Sequence, residues 1–524
     1  SATRVDASQL IEKGRENLTT YSNDFSQWTN SNTTEVSGFE GYDGTNDAWE
    51  ITKISATAYA SINKSISASG VITISAYVKK GTLSSTSLYA GGGTNPYIVF
   101  DFNSASITAQ RSGLIDTNVE DKGNGWYRIS FTTTESISSI TLHPDWSGTN
   151  TGTIYVQNVQ VEKSLVATPY IETGATTAQA GILENTPRFD YSGGATCPSL
   201  LLEPSRTNVV INSEYIAGYP SSNTTITQNY GISPEGVQNS ARIQFSGLGY
   251  IAFGVTTYTN EVSSMYVKGT AGEILRFGKG GNVGQGALYT LTGNWQRIVY
   301  DVGSTSSTFI ISNFSGANAN DFEVYGLQHE EGSYATSYIP TYGVSQTRAD
   351  DLTYKTNVTS LIGQTEGTMY VEFEFNTNNT DNFNRILSLG DGGTQNRILI
   401  IAQDTEVFRF YIQRGGVISV DLITSTSVFG GKHKVAFGYK ENDFVAYVDG
   451  VQVGADTSGT VPNTSNVYLG MHESGSNLPL EGLVQEAMLF KTRLSDLDLA
   501  ILTGATTYNT FAEMALALNY TVYE

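Results

Sequence analysis

The chain has 524 residues, too many for one hydrophobic core, and its length predicts about three or four domains. Only 15% of the residues are charged, whereas glycine (54) and tyrosine (31) are abundant, a composition that favours strands and turns over long amphipathic helices. The net charge of −21 argues against nucleic acids and anionic membranes as partners, and it permits calcium, neutral glycans or a basic protein.

Two long segments of the chain are copies of each other. VEKSLVATPYIET at 161–173 returns as HEEGSYATSYIPT at 329–341, 168 positions later. Three upstream landmarks recur in the same order: IEKGRENLTTYSNDF with LEPSRTNVVINSEYI, SAYVKKGT with SMYVKGT, and NGWYRISF with GNWQRIVY. The offset falls from 191 at the first landmark to 169 at Trp126 and Trp295. The first copy therefore carries roughly twenty extra residues, around LYAGGGTNPYIVFDFNSASIT, which are predicted to form a variable loop.

Each copy has the pattern of a small all-β domain. VITISAYVKK, WYRISFTTT and TIYVQNVQVE alternate or run apolar and end at glycine, asparagine or aspartate, which predicts antiparallel jelly rolls. Trp126 and Trp295 lie within strand patterns and are expected in the core. The predicted boundaries are 1–173 for the first jelly roll, 174–207 for a connecting segment, 208–341 for the second jelly roll and 342–364 for a linker. The turn residues DYSGG predict a hairpin in the connecting segment.

A third sandwich is predicted over 365–505, followed by a tail over 506–524. Asp449-Gly450 predicts a tight hairpin turn, and Ser495 is a candidate N-cap of one short helix. The tail has a pattern that suggests a further helix. The single cysteine, Cys197, excludes an internal disulfide and is expected to be a buried or half-buried thiol. No apolar run approaches the roughly 20 residues of a membrane span, and the N-terminus does not look like a signal peptide.

The residues of the third sandwich resemble a known family. HKVAFGYKENDFVAYVDGVQVG, VYLGMH and EGLVQEAMLFKTRLSDLDLAIL resemble the laminin-G-like, concanavalin-A-like lectin/glucanase sandwich. The two upstream copies resemble carbohydrate-binding-module jelly rolls of bacteriophage tail and fibre proteins. Those proteins also contain segments similar to SATRVDASQLIEKGRENL, TPRFDYSGGATCPSLLLEPSRTN and VEKSLVATPYIET.

This resemblance implies a phage virion appendage protein, namely a tail fibre or a tail-associated or head-associated protein, that adheres to host-surface or environmental polysaccharide. Its expected function is non-catalytic, for the reason given below. It also implies other virion proteins as partners and a homo-oligomer such as a trimer. The expected location is the surface of the phage particle, after assembly in the bacterial cytoplasm, where thiols stay reduced. Neither nucleic-acid binding nor membrane insertion is expected.

The sequence does not show the residue pattern of a catalytic site. Its four histidines form no HExxH motif, and neither CxxC, a nucleophile elbow nor a phosphate loop occurs. Glu372 and Glu374 in YVEFEFN share one strand face, but apolar residues alternate with them as in an ordinary half-solvated strand. Two alternatives remain open: a polysaccharide hydrolase or lyase, and a purely structural or capsid-decorating protein.

Carbohydrate binding requires flat aromatic side chains and neighbouring polar groups. Trp146 is the first candidate because it stands in a turn-rich segment, HPDWSGTNTG, that the second copy replaces. The other candidates are Trp49, Tyr97 in the extra loop, and the polar loop residues of the third sandwich, namely Asp391, Asn396, Arg397, His472 and Asn477. A structural calcium ion is the predicted metal, because oxygen ligands are plentiful. Its candidate ligands are Asp24, Glu40, Asp43, Asp321 and Glu323.

Overall fold

The computed structural model describes residues 2–56, 59–146, 150–280, 282–301, 306–375, 384–403, 407–427, 431–473, 480–504, 513, 515 and 516. The chain forms two compact units. Unit 1 contains residues 1–3, 10–186 and 207–347, and unit 2 contains residues 4–9, 187–206 and 348–524. The predicted fold class is confirmed: the protein is built of antiparallel β-sandwiches and has a short helix near its C-terminus.

Fifteen strands lie in the first copy and the residues before it. They are β1 Thr3–Val5, β2 Ile11–Lys13, β3 Arg15–Asn17, β4 Thr29–Ser31, β5 Thr33–Phe39, β6 Ala48–Lys53, β7 Ser61–Ala68, β8 Ile72–Lys80, β9 Ser85–Gly91, β10 Tyr97–Asp101, β11 Ser106–Gln110, β12 Asp116–Gly123, β13 Trp126–Thr133, β14 Ile137–His143 and β15 Gly152–Glu162. Two six-stranded sheets result, in the orders β11-β10-β9-β14-β7-β4 and β12-β13-β8-β15-β6-β5. Alternate residues such as Ile62, Leu88 and Leu142 fill the core between them.

The extra residues of the first copy are not the loop that the sequence predicts. They contain β10 and β11, which extend the first sheet by two hydrogen-bonded strands. The short polar turn Gly91–Pro96, in which Asn95 has a positive φ of 55°, closes the β9–β10 hairpin. The apolar run Ile98–Phe100 buries its side chains, and this burial makes the segment a strand.

Three strands lie in the connecting segment: β16 Ala178–Ala180, β17 Phe189–Asp190 and β18 Ser199–Leu202. The strands of the second copy are β19 Arg206–Asn208, β20 Ser221–Thr227, β21 Ala241–Gly254, β22 Glu261–Gly269, β23 Ile274–Lys279, β24 Ala287–Thr290, β25 Gln296–Tyr300, β26 Thr308–Ser312, β27 Asp321–Glu331 and β28 Gln346–Arg348. β21 pairs with β27 through Ala241–Gln244 and with β26 through Tyr250–Gly254. One long strand therefore joins both layers of this sandwich into a continuous sheet.

A buried ionic cluster joins the two sandwiches of unit 1. The ammonium group of Lys13 lies 3.0 Å from Glu214 and 2.8 Å from Glu235, and it donates to the hydroxyl of Tyr342 at 2.6 Å. The side chains of Lys13 and Glu214 are 3% and 0% exposed. Burial lowers the pKa of Lys13, but the two carboxylates outweigh this effect and hold it above its ordinary value. Lys13 precedes the first sandwich in the chain, so this cluster attaches that segment to the second sandwich.

Unit 2 contains the third sandwich. Its further strands are β29 Thr353–Lys355, β30 Glu366–Phe375, β31 Asn384–Gly390, β32 Arg397–Gln403, β33 Val407–Arg414, β34 Val417–Ser427, β35 Lys432–Lys440, β36 Asp443–Val448, β37 Val451–Asp456, β38 Asn466–Leu469 and β39 Gly482–Phe490. The two sheets have the orders β17-β18-β39-β30-β35-β36-β37 and β29-β38-β31-β32-β33-β34. The hairpin of the connecting segment thus supplies two strands at the edge of this sandwich. Cys197 lies in its turn and is exposed, so the expectation of a buried thiol is wrong.

Local signals in unit 2 behave as the sequence predicts. Asp449 and Gly450 have φ angles of 50° and 84° and join β36 to β37. The helix α1, Asp496–Thr503, begins at Ser495, whose hydroxyl accepts the amide of Asp498 at 3.1 Å. The tail after 504 lies mostly outside the described residues. The single-turn 3-10 helices among the described residues are Phe25–Gln27, Ser192–Gly194, Ile216–Gly218 and Thr359–Leu361. None of the described helices is long and apolar enough to cross a membrane.

Candidate functional site

A row of aromatic and small polar residues crosses the outer face of the first sheet in the first sandwich. Strand register pairs Tyr97 with Tyr89, Tyr89 with Thr141, Thr141 with Asn63, and Asn63 with Thr29. Directly opposed residues of antiparallel strands point to the same face. Their neighbours along each strand point into the core, so these five side chains point outward. Because strands lie about 4.8 Å apart, the four intervals of this row span roughly 19 Å.

Trp146 follows β14 and stands beside this row. Its ring stacks on Tyr97, with centroids 4.8 Å apart and an interplanar angle of 21°. Tyr59 meets it edge-on at 6.5 Å and 85°, and His143 does so at 5.5 Å and 77°. Tyr89 lies tilted at 6.5 Å. The structure therefore brings together two of the sequence-predicted residues, Trp146 and Tyr97, and adds three rings around them.

Of these rings, those of Tyr59, Tyr89, His143 and Trp146 border an open groove of about 480 Å³. Tyr59 is 68% exposed and is the most accessible aromatic ring of this surface. The residues that line the groove are Thr29, Asn30, Ser31, Tyr59, Ser61, Asn63, Tyr89, Thr141, His143 and Trp146. We call this set the aromatic groove. It combines ring faces with hydroxyl, amide and imidazole groups, which are the groups needed to bind an amphipathic ligand.

Hydrogen bonds orient the polar side chains of the aromatic groove. The amide of Asn63 donates to the hydroxyl of Thr141 at 2.6 Å. Nδ1 of His143 lies 3.1 Å from the carbonyl oxygen of Ala60, which can only accept, so Nδ1 carries the proton and Nε2 is the acceptor of the neutral ring. Burial lowers the pKa of His143 below its ordinary value of 6.5, although the bond to Ala60 opposes this shift. The imidazole is therefore neutral at pH 7.

A buried ion pair supports the turn that carries Trp146. Lys53 and Asp145 lie 3.4 Å apart, with side chains 0% and 5% exposed. The second partner of Asp145 is the backbone amide of Asn150, which donates to it at 3.0 Å. Asp145 thus binds both Lys53 and the backbone amide of Asn150. Lys53 is thus held in this pair beneath the surface.

The second sandwich does not repeat the aromatic groove. At the offset of 169 that relates the two tryptophans, Ile310 occupies the position of Thr141. Its cross-strand neighbours are Gly278 and Ala252. A small, apolar row therefore replaces the aromatic and polar row of the first sandwich.

Trp49 lies on the other sheet of the first sandwich, outside the aromatic groove. Its ring meets Phe25 edge-on at 5.9 Å, and its indole nitrogen donates to the carbonyl of Asn23 at 2.8 Å. It is partly buried against the core of its own sandwich. These contacts give Trp49 a packing role.

The polar loop candidates of unit 2 form internal hydrogen bonds. The amide of Asn396 donates to Asp391 at 2.9 Å, and its oxygen accepts the amide of Gly415 at 2.9 Å. Arg397 pairs with Glu473, which also binds Arg385 at 3.2 Å and lies 3.7 Å from His472. Glu473 is 1% exposed. Arg397 and His472 thus surround one buried carboxylate. Asn477 lies outside the described residues.

The five candidate calcium ligands do not form one oxygen cage. Asp321 binds the guanidinium of Arg242 at 2.8 Å, and Glu323 binds Lys268 at 3.2 Å. Asp24 caps a single-turn helix, and Asp43 accepts hydrogen bonds within its own turn. Glu40 is exposed. Within the described ranges, no three histidine, cysteine, aspartate or glutamate residues are grouped for a metal. These residues do not fit a calcium site, and a structural calcium ion stays a prediction without assigned ligands.

Glu372 and Glu374 lie on β30 in unit 2. Glu372 is 8% exposed and lies 3.6 Å from Lys432 and 4.0 Å from Lys434. Its cross-strand partner is Glu486. Burial and the neighbouring Glu372 raise the pKa of Glu486, and Lys434 opposes this effect. The carboxylate of Glu372 thus takes part in a mixed cluster of charges on a sheet face.

Sequence reasoning missed most residues of the aromatic groove. Tyr59, Tyr89, Asn63, Thr141 and His143 were not candidates. The alternation in ISSITLH shows that Thr141 and His143 share a face, but it does not show which strands flank them. Their neighbours come from segments about 50 to 80 positions upstream, and only the pairing of strands brings them together.

The fold and the aromatic groove define a multi-sandwich, all-β protein with a potential ligand-binding sheet face. Residues 351–500 match the family model Laminin_G_3, described as the concanavalin A-like lectin/glucanases superfamily. The resemblance expected of the third sandwich is therefore confirmed. No curated protein sequence matches the chain significantly.

Solved structures of similar fold cover parts of the chain. A CBM40 domain of an IT-sialidase from Ruminococcus gnavus bound to α2,3-sialyllactose is 19% identical and has a TM-score of 0.25, covering 27% of this chain and 84% of its own. Domain 4 of a GH43 extracellular arabinanase from Geobacillus stearothermophilus with arabinotriose is 13% identical at a TM-score of 0.25, covering 30% and 82%. Mouse laminin alpha1 domains LG4-5 are 10% identical at 0.21, covering 53% and 91%. Likenesses this weak assign no function.

Proposed function

We propose that this protein is a non-catalytic polysaccharide-binding protein whose first sandwich holds a sugar chain in the aromatic groove. The observation that carries the proposal is the row from Tyr97 to Thr29 beside Trp146. Sugar rings have an apolar face of C–H bonds and an edge of hydroxyl groups. The face packs on aromatic rings, whose surface carries partial negative charge, and the hydroxyls bond to amides and hydroxyls. The aromatic groove presents both kinds of group on one rigid sheet.

The lectin/glucanase family model over residues 351–500 supports carbohydrate as the ligand class. It does so for the third sandwich only, and that sandwich hosts binding and enzymatic proteins alike. Two binding modules in one chain would raise avidity where a polysaccharide can reach both.

The finer proposal is that the protein acts on the surface of a bacteriophage particle and binds host-surface polysaccharide. Its support is the resemblance of RFDY, LLLEPSRTN and ATSYIP to segments of phage virion proteins. Mass spectrometry of purified particles tests the location. Detection of the chain in the particles supports the proposal, and its restriction to the host fraction contradicts it.

The test of carbohydrate binding is titration of the purified chain against a panel of polysaccharides. We expect the wild type to bind at least one of them, and Trp146→Ala and Tyr59→Ala to weaken that binding about tenfold or more, which corresponds to about 1.4 kcal/mol. Tyr230→Ala is the matched control, because Tyr230 is 44% exposed in the same unit and lies outside the aromatic groove. Equal affinities for all four proteins would contradict the proposal.

The same titration also tests the two alternative functions, namely a polysaccharide hydrolase or lyase and a purely structural protein. Release of reducing ends during incubation would show a hydrolase, and a new absorbance from unsaturated sugar would show a lyase. Failure to bind any polysaccharide would leave the structural role.

A further inference from the structure

We infer that the aromatic groove selects uncharged polysaccharide chains and rejects chains of acidic sugars. This inference rests on the proposed function and adds the class of ligand. It follows from the charges of the first sheet and from the length of its polar row.

Every residue that lines the aromatic groove has a neutral side chain at pH 7. Ten of the described residues line it, and the only titratable group among these ten near that pH is His143. Burial lowers the pKa of this imidazole, so it offers no positive charge to an anion. The hydroxyl and amide groups can bind sugar hydroxyls, but they cannot neutralise a carboxylate.

The strands that form this face contain almost no charge. Across β4, β7, β9, β10, β11 and β14 there is one basic residue, Lys64, and one acidic residue, Asp101. The ammonium of Lys64 donates to the carbonyl of Gln27 at 3.1 Å and lies 4.7 Å from the ring centroid of Tyr21. Lys64 does not line the aromatic groove. The buried Lys53 is held by Asp145.

An acidic group beside the aromatic groove would repel an anionic sugar. Glu35 accepts the amide of Asn30 at 2.9 Å, at the β4 end of the aromatic groove. The net charge of −21 adds a repulsive long-range field. Moving a carboxylate out of water without a cation is costly, whereas a neutral hydroxyl can exchange its water for Asn63 or Thr141.

The row also favours a chain over a single sugar. Four of its five positions, from Tyr89 to Thr29, line the aromatic groove and span roughly 14 Å, which is longer than one sugar ring, and the groove is open. Stacking at the Trp146 end and hydrogen bonding toward Thr29 would act on different sugar units of one ligand.

The experiment uses one neutral polysaccharide found to bind in the panel and two derivatives of it. In the first derivative, part of the primary hydroxyls is oxidised to carboxylates. In the second, the same carboxylates are converted to methyl esters, which removes the charge and keeps the added atoms. We expect the full chain to bind the oxidised polymer at least about tenfold more weakly than the parent, and the ester to recover most of the lost affinity. Binding of the parent should change little with salt.

A variant provides the converse test. Ser31→Lys places a cation at the exposed edge of the aromatic groove and should strengthen binding of the oxidised polymer, in a salt-dependent way. The inference would be overturned if the wild type bound the oxidised polymer more tightly than its ester and if Trp146→Ala abolished that binding. The proposed function would still hold in that case. If acidic polymers alone in the panel bind and Trp146→Ala abolishes that binding, the inference is overturned in the same way. Failure to bind any polysaccharide would overturn both.

Discussion

Asn17 and Asn208, 191 positions apart, make the same four hydrogen bonds in the two sandwiches of unit 1. Asn17 donates to the carbonyls of Val159 and Ile171 at 3.3 and 2.8 Å and accepts the amides of Thr19 and Val161 at 3.1 Å. Asn208 donates to two carbonyls at 3.0 and 2.8 Å and accepts two amides at 3.1 Å. Both are 0% exposed. In each sandwich of unit 1, a buried asparagine thus links the start of the copy to its last long strand and to the segment that follows that strand.

Asn17→Asp should destabilise the first sandwich strongly. The change keeps the shape but replaces a donor of two hydrogen bonds with an oxygen that faces two carbonyls. We expect a loss of about 3 kcal/mol or more in the free energy of unfolding, measured by urea denaturation. Asn46→Asp, at an exposed position, is the control and should change stability by less than about 0.5 kcal/mol. Similar urea midpoints for the two variants would contradict a stabilising role of the Asn17 hydrogen bonds.

Lys13→Met should destabilise the contact between the two sandwiches of unit 1. It leaves Glu214 and Glu235 buried without a cation, which typically costs about 3–5 kcal/mol. Burial already raises the pKa of Glu214, and without Lys13 it should rise further. A carboxyl whose pKa is raised in the folded state favours folding more when it is protonated than when it is ionised. The loss of stability caused by Lys13→Met should therefore be largest at high pH and should decrease as the pH falls through the folded-state pKa of Glu214.

Urea unfolding at several pH values measures this effect. Lys122→Met is the control, because Lys122 forms an exposed pair with Glu120 at 2.6 Å. It should cost at most about 1 kcal/mol at every pH. Equal losses for the two variants, or a Lys13→Met defect that grows in acid, would be inconsistent with the buried cluster.

His143 should make the first sandwich less stable in mild acid. Its folded pKa lies below the ordinary value of 6.5, so the unfolded chain takes up a proton first as the pH falls. Stability should therefore fall below pH 6.5 until the folded pKa is passed. The difference in unfolding free energy between the wild type and His143→Phe isolates this contribution from those of other histidines. A difference that does not change between pH 8 and about 5 would show that the imidazole titrates normally.

Glu372→Gln should leave the products of polysaccharide incubation unchanged. Glu372 is paired with Lys432 and Lys434 on a sheet face, an arrangement that stabilises structure and does not resemble two acids spaced across a cleft. Reducing-end assays on the wild type and the variant should both match a blank without protein. Activity in the wild type that disappears in Glu372→Gln would establish the hydrolase alternative.

Much of this fold could be predicted because its signals are local. Alternation in WYRISFTTT, the turn at Asp449-Gly450 and the N-cap at Ser495 act between residues that are close in the chain, and each forms the predicted structure. The two copies could be recognised in the sequence because the repeated segment at 161–173 contains buried, hydrogen-bonded residues that leave little freedom for substitution. Trp146 stood out because the second copy replaces its turn-rich segment.

Only the tertiary structure showed that Trp146 lines the aromatic groove, whereas Trp49 packs against the core, and that Tyr97 lies on a strand. A period of two assigns each residue of a strand to a face, but the register between strands depends on pairing partners that are distant in sequence. Thr29, Asn63, Tyr89 and Thr141 come from four separate segments, and nothing local indicates that they align. The sequence by itself determined the class of fold, the duplication and the low proportion of charged residues in the chain. Which side chains meet on its surface was decided by strand order and register, because these depend on the packing of the whole sandwich.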